Sequence, residues 1–374
     1  MNKNICFPNY DRSILSISSS ILKNYGVNSN YKSLNELDNI LSKKYKNVIF
    51  LILDCLGTDI IEKNLDENSL LRKNIVTSVT SVYPPTTAAA TTAFHSGLSP
   101  LENGWVGWMP YFKKYNSIIE LFSGKDFYTR KQIIERPESI NLEHETIYEK
   151  ICNRNKDIKF HKVFPKNIQK DGAQDFTNLC NKIENYCNNN DRNLISAYWN
   201  EPDHTIHHNG VKCSCVKEVL ENIENNLKSL VDKLEDSVVI ISADHGAVNV
   251  DEIYINEIPE INECLKMPPS IETRIVTFFI KKGMKNKFKN AMNKHFEGEY
   301  LLYTKKQFLD SGLFGKGEQH QNINDYLGDY TLVFYKKKSV RYSIDGVKEP
   351  PLIADHGGIS KEEMTVPLIV LESR

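Results

Sequence analysis

NVIFLIL, residues 47–53, is an almost unbroken run of β-branched and leucine residues that stops abruptly at Asp54. A run with no polar face reads as a strand buried on both sides. The pattern recurs as NLISAY (193–198), VVIIS (238–242) and VPLIVL (366–371). Between the second and third, Val216, Val219, Leu220, Ile223, Leu227, Leu230, Val231 and Leu234 fall at helical spacing, with charges on the opposite face. Strand, helix, strand with buried strands predicts an α/β fold, a mostly parallel central sheet sandwiched by helices. Ligands of such sheets bind beyond the carboxyl ends of the strands. Asp54, Asp203 and Asp244 all stand at or just past such an end.

The chain of 374 residues is long enough for one large α/β domain, and we read residues 1–374 as a single unit. Two stretches fit the sheet less well. Residues 100–190 are rich in Lys, Asn and aromatics, and residues 255–345 mix a strand (Arg274–Ile280), a Lys-rich helix and an aromatic strand (Tyr330–Tyr335). Both are expected to be cap insertions that roof the site. Residues 1–45 read as a helical extension with no evident chemical role. The net charge of −1 gives no broad attraction to a nucleic-acid polymer or an anionic membrane, so an anionic substrate needs a local cation. Eight cysteines are too few for a disulfide-built scaffold of this length. The N-terminus has no apolar leader core and no run reaches the length of a membrane span. These features predict a cytoplasmic, reduced protein. Cys213 and Cys215 could bind a soft metal, but two thiols without a partner pair read more simply as helix-start cysteines.

The chemistry-bearing residues lie in five short segments. In YPPTTAAATTAFHSG (83–97), Thr86 and Thr87 stand where a helix should begin. The plain reading of such a threonine is an N-cap. The functional reading is a hydroxyl held at the positive end of the helix, which bonding to a metal turns into a nucleophile. In PDHTIHHNG (202–210), Asp203 and His207 are four apart and can ligate one ion from a single turn, but His204 and His208 share that spacing, and a polar loop explains all three histidines. SADHG (242–246) places Asp244 and His245 at a strand end, and a buried Asp–His pair there needs neutralising. DHGG (355–358) offers His356 in the same grammar, with a simple turn as the competing reading. Asp54 alone is as readily a turn former. Together, three Asp, three His and a Thr are the ligand inventory of a two-metal hydrolytic centre.

The order Asp54, Pro-Pro-Thr-Thr, Pro-Asp-His-Thr-Ile-His-His-Asn-Gly, Ala-Asp-His-Gly, then His-Gly-Gly followed by Glu-Glu-Met-Thr-Val-Pro-Leu, resembles the alkaline phosphatase superfamily and within it the type I phosphodiesterase/nucleotide pyrophosphatase family. The resemblance covers the sheet-bearing parts of nearly the whole chain, and the insertions match nothing recognisable. It implies an alkaline-phosphatase-like fold and two Zn2+ ions, with Mn2+ as a substitute. Asp203, His207 and His356 would hold one ion; Asp54, Asp244, His245 and the nucleophile would hold the other. Counting ten residues back from Gly97 selects Thr87 over Thr86. The implied reaction is hydrolysis of a small-molecule phosphodiester or diphosphate through a threonyl-phosphate. The sequence departs from the family's pattern at Ala90, where many members carry an Asn that contacts phosphoryl oxygen, and this weakens the nucleotide-specific reading. No Arg or Lys adjoins Thr87, which favours a diester over a doubly charged monoester. A phosphomonoesterase or phosphonate hydrolase on the same site is the alternative. A mutase would call for Ser and a sulfatase for Cys or Ser, and a degenerate binding protein would be expected to lack ligands. Aromatics in GWVGWMPYF (104–112) could stack on a flat leaving group or simply pack an inserted subdomain.

Overall fold

The computed structural model describes residues 4–135, 144–344, 346, 348 and 350–373. A six-stranded sheet runs in the order Ile75–Thr80, Thr365–Glu372, Ser237–Ser242, Asn47–Leu53, Arg192–Trp199, Ile158–Val163. Asn47–Leu53 lies in its middle, buried at every residue, which is why it has no polar face. Its parallel register sets Leu53 opposite Trp199 and Ile52 opposite both Tyr198 and Ser242, so three strands end at one level. Asp54, Ala243 and Asn200 therefore leave the sheet side by side.

Two groups of helices complete the layers. Ile14–Asn24, Thr87–Ser96 and Ile147–Arg154 contact one another, and Ser214–Val231 contacts Phe176–Cys187, Thr58–Asn64 and Asp203–Asn209. Ile14–Asn24 belongs to the core: Ile14, Leu15, Ile17 and Ile21 are fully buried and Ser18 Oγ donates to Phe94 O at 3.0 Å. The N-terminal stretch thus backs the helix that begins at Thr87.

Three expectations need adjusting. Thr365–Glu372, read with the buried strands, runs antiparallel to both of its neighbours. Within the 100–190 stretch, Ile158–Val163 is an edge strand of the main sheet, paired in parallel with Arg192–Trp199, and Phe176–Cys187 packs on that sheet; the strand's exposed lysines hid it. Residues 136–143 of that stretch lie outside the described residues. Cys213 and Cys215, read as reduced, are joined to each other at the start of Ser214–Val231. Among the described residues no helix is long and apolar enough to cross a membrane.

Within the 255–345 stretch, residues 270–334 build a second, four-stranded antiparallel sheet in the order Ser270–Ile271, Ile275–Phe278, Tyr330–Phe334, Tyr300–Thr304. With the Lys285–Phe296 helix it has its own apolar core around Phe278, Phe288, Phe296 and Phe334. It is fastened to the main domain by the fully buried pair of Arg274 and Glu363, with Nε to Oε1 at 2.7 Å and Nη2 to Oε2 at 2.9 Å. The remaining guanidinium donors reach Lys336 O and Lys338 O, and Glu363 also accepts Gly358 N and Ser360 Oγ. Every charge in this cluster is hydrogen-bonded, which is what makes its burial tolerable. Arg274→Met would strand the carboxylate, so a loss of about 3–5 kcal/mol is expected in denaturant unfolding; a loss under about 1 kcal/mol, the worth of an exposed pair, would show that the pair is not a structural fastening.

Candidate active site

The level strand ends carry the acids, and the loops that follow turn them towards one point. Asp54 comes directly after Leu53, Asp244 two residues after Ser242, and Asp203 opens a short helix four residues after Trp199. Backbone packs directly on backbone here. A Cβ on Gly57 would lie 2.6 Å from the Gly246 Cα, and one on Gly246 would lie 2.1 Å from Glu362 O. Close approach of the two loops, rather than a tight exit from the strand, is why glycine follows Asp244-His245.

Thr86 and Thr87 divide the roles that sequence left open. Thr86 has extended backbone and caps the helix, its Oγ1 accepting Ala89 N at 3.4 Å. Thr87 is the first helical residue, and its Oγ1 lies 3.2 Å from His245 Nε2. His245 Nε2 is in turn 3.3 Å from Asp54 Oδ1 and 3.6 Å from Asp244 Oδ2. On the other side, Asp203 Oδ1 lies 3.3 Å from His207 Nε2 and 3.9 Å from His356 Nε2. The His245 and His356 rings stack with centroids 3.8 Å apart, so the two groups adjoin. All seven residues singled out from sequence therefore share one neighbourhood. His204 and His208 pair with each other on the exposed side of their helix, 5.0 Å between centroids, which decides the choice between the two His spacings. Ala90 is buried in the main core and the alanines of this helix serve packing. Trp105 and Trp108 both pack on Phe122, the packing reading of that segment.

The donor chemistry fits cations. Asp203, His207 and His356 form one group, and Asp54, Asp244 and His245 another, with ligand atoms of each within 4.8 Å of one another. Donors about 2.0 Å from a tetrahedral zinc sit about 3.3 Å apart, close to the separations above. His207 Nδ1 is engaged by Ala354 O at 2.8 Å and His245 Nδ1 by Gly246 O at 3.1 Å, which turns each Nε2 inward, as in metal-ligating histidines generally. The carboxylates are oriented likewise. Asp244 Oδ1 accepts the amides of Cys55 and His245, both at 3.0 Å, and Tyr198 Oη donates to Asp54 Oδ2. That leaves Asp54 Oδ1, Asp203 Oδ1 and Asp244 Oδ2 buried without a hydrogen-bond partner.

Electrostatics register the same crowding. Burial, then Asp244 and Asp203, push the Asp54 carboxyl well above its ordinary range, and burial raises Asp244. Burial also works to raise Asp203, but His207 outweighs it and holds that carboxyl below its ordinary range. His207 is pushed up to about 10, burial opposing its charge and Asp203 more than offsetting that. Burial and then His245 hold His356 well below.

Two participants were not legible in the sequence. Cys55, buried, shares a third candidate group with Asp203 and His245. Glu272, from the second sheet, accepts Trp108 N at 2.6 Å, while its neighbour Thr273 donates to Asp355 Oδ2 at 2.6 Å. The second sheet thus reaches the site at Asp355, beside His356, and holds the Trp108 segment that follows the Thr87 helix.

Residues 48–307 match the family model "Type I phosphodiesterase / nucleotide pyrophosphatase". The chain belongs to that family of phosphoester hydrolases. Among solved structures it is similar to murine ectonucleotide pyrophosphatase/phosphodiesterase 5, at 17% identity and a TM-score of 0.65 over 86% of this chain and 87% of that one. The human protein of the same name matches at 16% identity and 0.65 over 87% of each chain. Phosphonoacetate hydrolase from Sinorhizobium meliloti 1021, in complex with phosphonoacetate, matches at 14% and 0.59 over 86% of this chain and 89% of that one. At these identities the likeness is one of fold, an α/β architecture of the alkaline phosphatase superfamily. No curated protein sequence matches the chain.

Glu272 supplies a pH test of the contact between the second sheet and the Trp108 segment. Burial raises its carboxyl to about 8, the Trp108 amide acting in the opposite sense. A carboxyl raised on folding stabilises the folded state below its unfolded value, about 4.3 for Glu, and that contribution is lost as pH rises through about 8. Relative to Glu272→Gln, the wild type is expected to lose stability from about pH 5 upwards until about pH 8, read by denaturant titration; parallel profiles would contradict this.

Proposed function

We propose that the chain is a two-zinc phosphodiesterase or pyrophosphatase-type hydrolase in which Thr87 is the nucleophile. The observation that carries the reading is the 3.2 Å approach of Thr87 Oγ1 to His245 Nε2, inside the Asp54, Asp244 and His245 group and next to the Asp203, His207 and His356 group. Zinc bound by the two groups would supply Lewis-acid stabilisation of phosphoryl charge and make a hydroxyl or water nucleophilic at neutral pH.

The chain's own residues do the rest. Thr86, by taking the capping role, leaves the Thr87 hydroxyl free at the start of the helix, where the dipole favours an oxyanion. Thr87 Oγ attacks phosphorus, losing its proton, and the bond from phosphorus to the leaving oxygen breaks as that oxygen gains a proton. The covalent threonyl-phosphate, which keeps the other ester group of the substrate, is then opened by water, which restores the hydroxyl and releases the phosphomonoester. The structure of an inactive threonine-to-alanine form of the murine relative, in complex with AMP, is consistent with a catalytic threonine and a phosphate-bearing ligand in a protein of this fold.

The substrate we favour is a small phosphodiester or diphosphate. No Arg or Lys flanks Thr87 to meet a doubly charged monoester. A cavity of about 500 Å³ opens beside the site, its wall including Glu272 and Thr273 together with Phe127, Tyr128, Tyr254 and Tyr342. Its aromatic lining suits a flat leaving group. Phosphonate hydrolysis is the second reading, kept by the likeness to phosphonoacetate hydrolase.

The test compares an aryl phosphodiester, the matching monoester and phosphonoacetate as substrates of the zinc-loaded protein. Faster turnover of the diester is expected, and preference for the monoester or phosphonoacetate would reject it. Thr87→Ala should lower turnover on the order of a thousandfold or more while zinc stoichiometry stays at that of wild type. Undiminished turnover would remove Thr87 from its role.

A further inference from the structure

The left-handed turn after the central strand carries a side chain that the reading above does not use. Cys55 follows Asp54 with φ of +62°, a conformation that glycine adopts freely and a side chain does not. It is fully buried at the edge of the same apolar core that holds Cys180 and Cys187, and of the three it alone lies among the acids and histidines of the site. Its Sγ, an oxygen of Asp203 and a nitrogen of His245 lie within 4.8 Å of one another. Asp203 belongs to one donor group and His245 to the other, so the thiol adjoins both. Beside it, Asp54 Oδ1 and Asp244 Oδ2 are buried without a hydrogen-bond partner, on residues 3% and 0% exposed. Those orphaned oxygens point independently to a cation at this place.

We propose that Cys55 is a further ligand of the metal centre, offering its sulfur between the two donor groups. The inference rests on the two-zinc reading and adds an eighth protein side chain to it. On ligation the S–H bond gives up its proton to solvent and a sulfur–metal bond forms. A soft thiolate among nitrogen and oxygen donors favours Zn2+ and Cd2+ over Mn2+ and Mg2+. The centre would then discriminate against the Mn2+ that its Asp and His ligands alone would accept.

Cobalt reports the bond directly, because thiolate ligation gives Co2+ an intense near-ultraviolet charge-transfer absorption that nitrogen and oxygen donors do not. The full chain would carry Cys213→Ser and Cys215→Ser so that this pair cannot contribute. Titrated with Co2+, it is expected to show visible d–d bands together with the charge-transfer band. Cys55→Ser should keep the former and lose the latter. Cys55→Gly, suited to the left-handed backbone, should fold and bind Zn2+ about ten- to a hundredfold more weakly with Mn2+ affinity nearly unchanged. Visible cobalt bands without the charge-transfer band, or an unaltered Zn2+ affinity in Cys55→Gly, would overturn the role of Cys55 while leaving the metal centre standing. Failure of Co2+ and Zn2+ to bind at all would overturn both.

Discussion

Asp54, Asp203 and Asp244 meet at the carboxyl end of a sheet with water largely excluded, and their mutual repulsion governs the rest of the molecule. Moving even one carboxylate into such surroundings costs several kcal/mol. The fold carries three, two of them displaced upward in pKa chiefly by burial, with Asp203 adding to the rise in both. His207 relieves Asp203, but Asp54 Oδ1 and Asp244 Oδ2 keep no hydrogen-bond partner. A protein that retains this arrangement gives up stability for a cluster of donors that could hold a metal ion. The second sheet, the glycine-rich loops and the buried polar bonds around the acids all hold the repelling groups in register.

Glu363 is the centre of that restraint. Its carboxylate receives Arg274 from the second sheet and Gly358 N from the loop after His356, and its backbone oxygen receives Gly246 N from the loop after His245. One residue therefore fixes a loop from each donor group. Gly358 admits no side chain, since a Cβ there would lie 2.7 Å from Arg274 Nη2 and 2.8 Å from Glu363 Oε2. Fixing ligand loops by packing and by bonds behind the ligands is what gives a site a defined geometry before anything binds.

The sequence disclosed the fold where burial is symmetrical. Asn47–Leu53, Arg192–Trp199 and Ser237–Ser242 are apolar on both faces because helices cover both, and their ends could be read to within a residue or so. Ile75–Thr80 and Ile158–Val163 passed unnoticed because edge strands are half exposed and carry polar residues. Strand direction is set by the connection, not the side chains, so the antiparallel course of Thr365–Glu372 left no local trace. The seven site residues were legible because strand-end Asp and His in adjacent pairs are chemically conspicuous. Cys55, Glu272 and the Arg274–Glu363 pair were not, since each acquires its role from a partner distant in the chain, and nothing local marks a carboxylate that will be buried by a second sheet.

Anomalous diffraction at the zinc edge, from crystals grown with zinc, tests the convergence most directly. The account predicts two peaks, one about 2.0–2.2 Å from donor atoms of Asp54, Asp244, His245 and Thr87, the other at similar range from Asp203, His207 and His356. Peaks at neither group, or a single peak that leaves Thr87 Oγ1 without a metal bond, would contradict it.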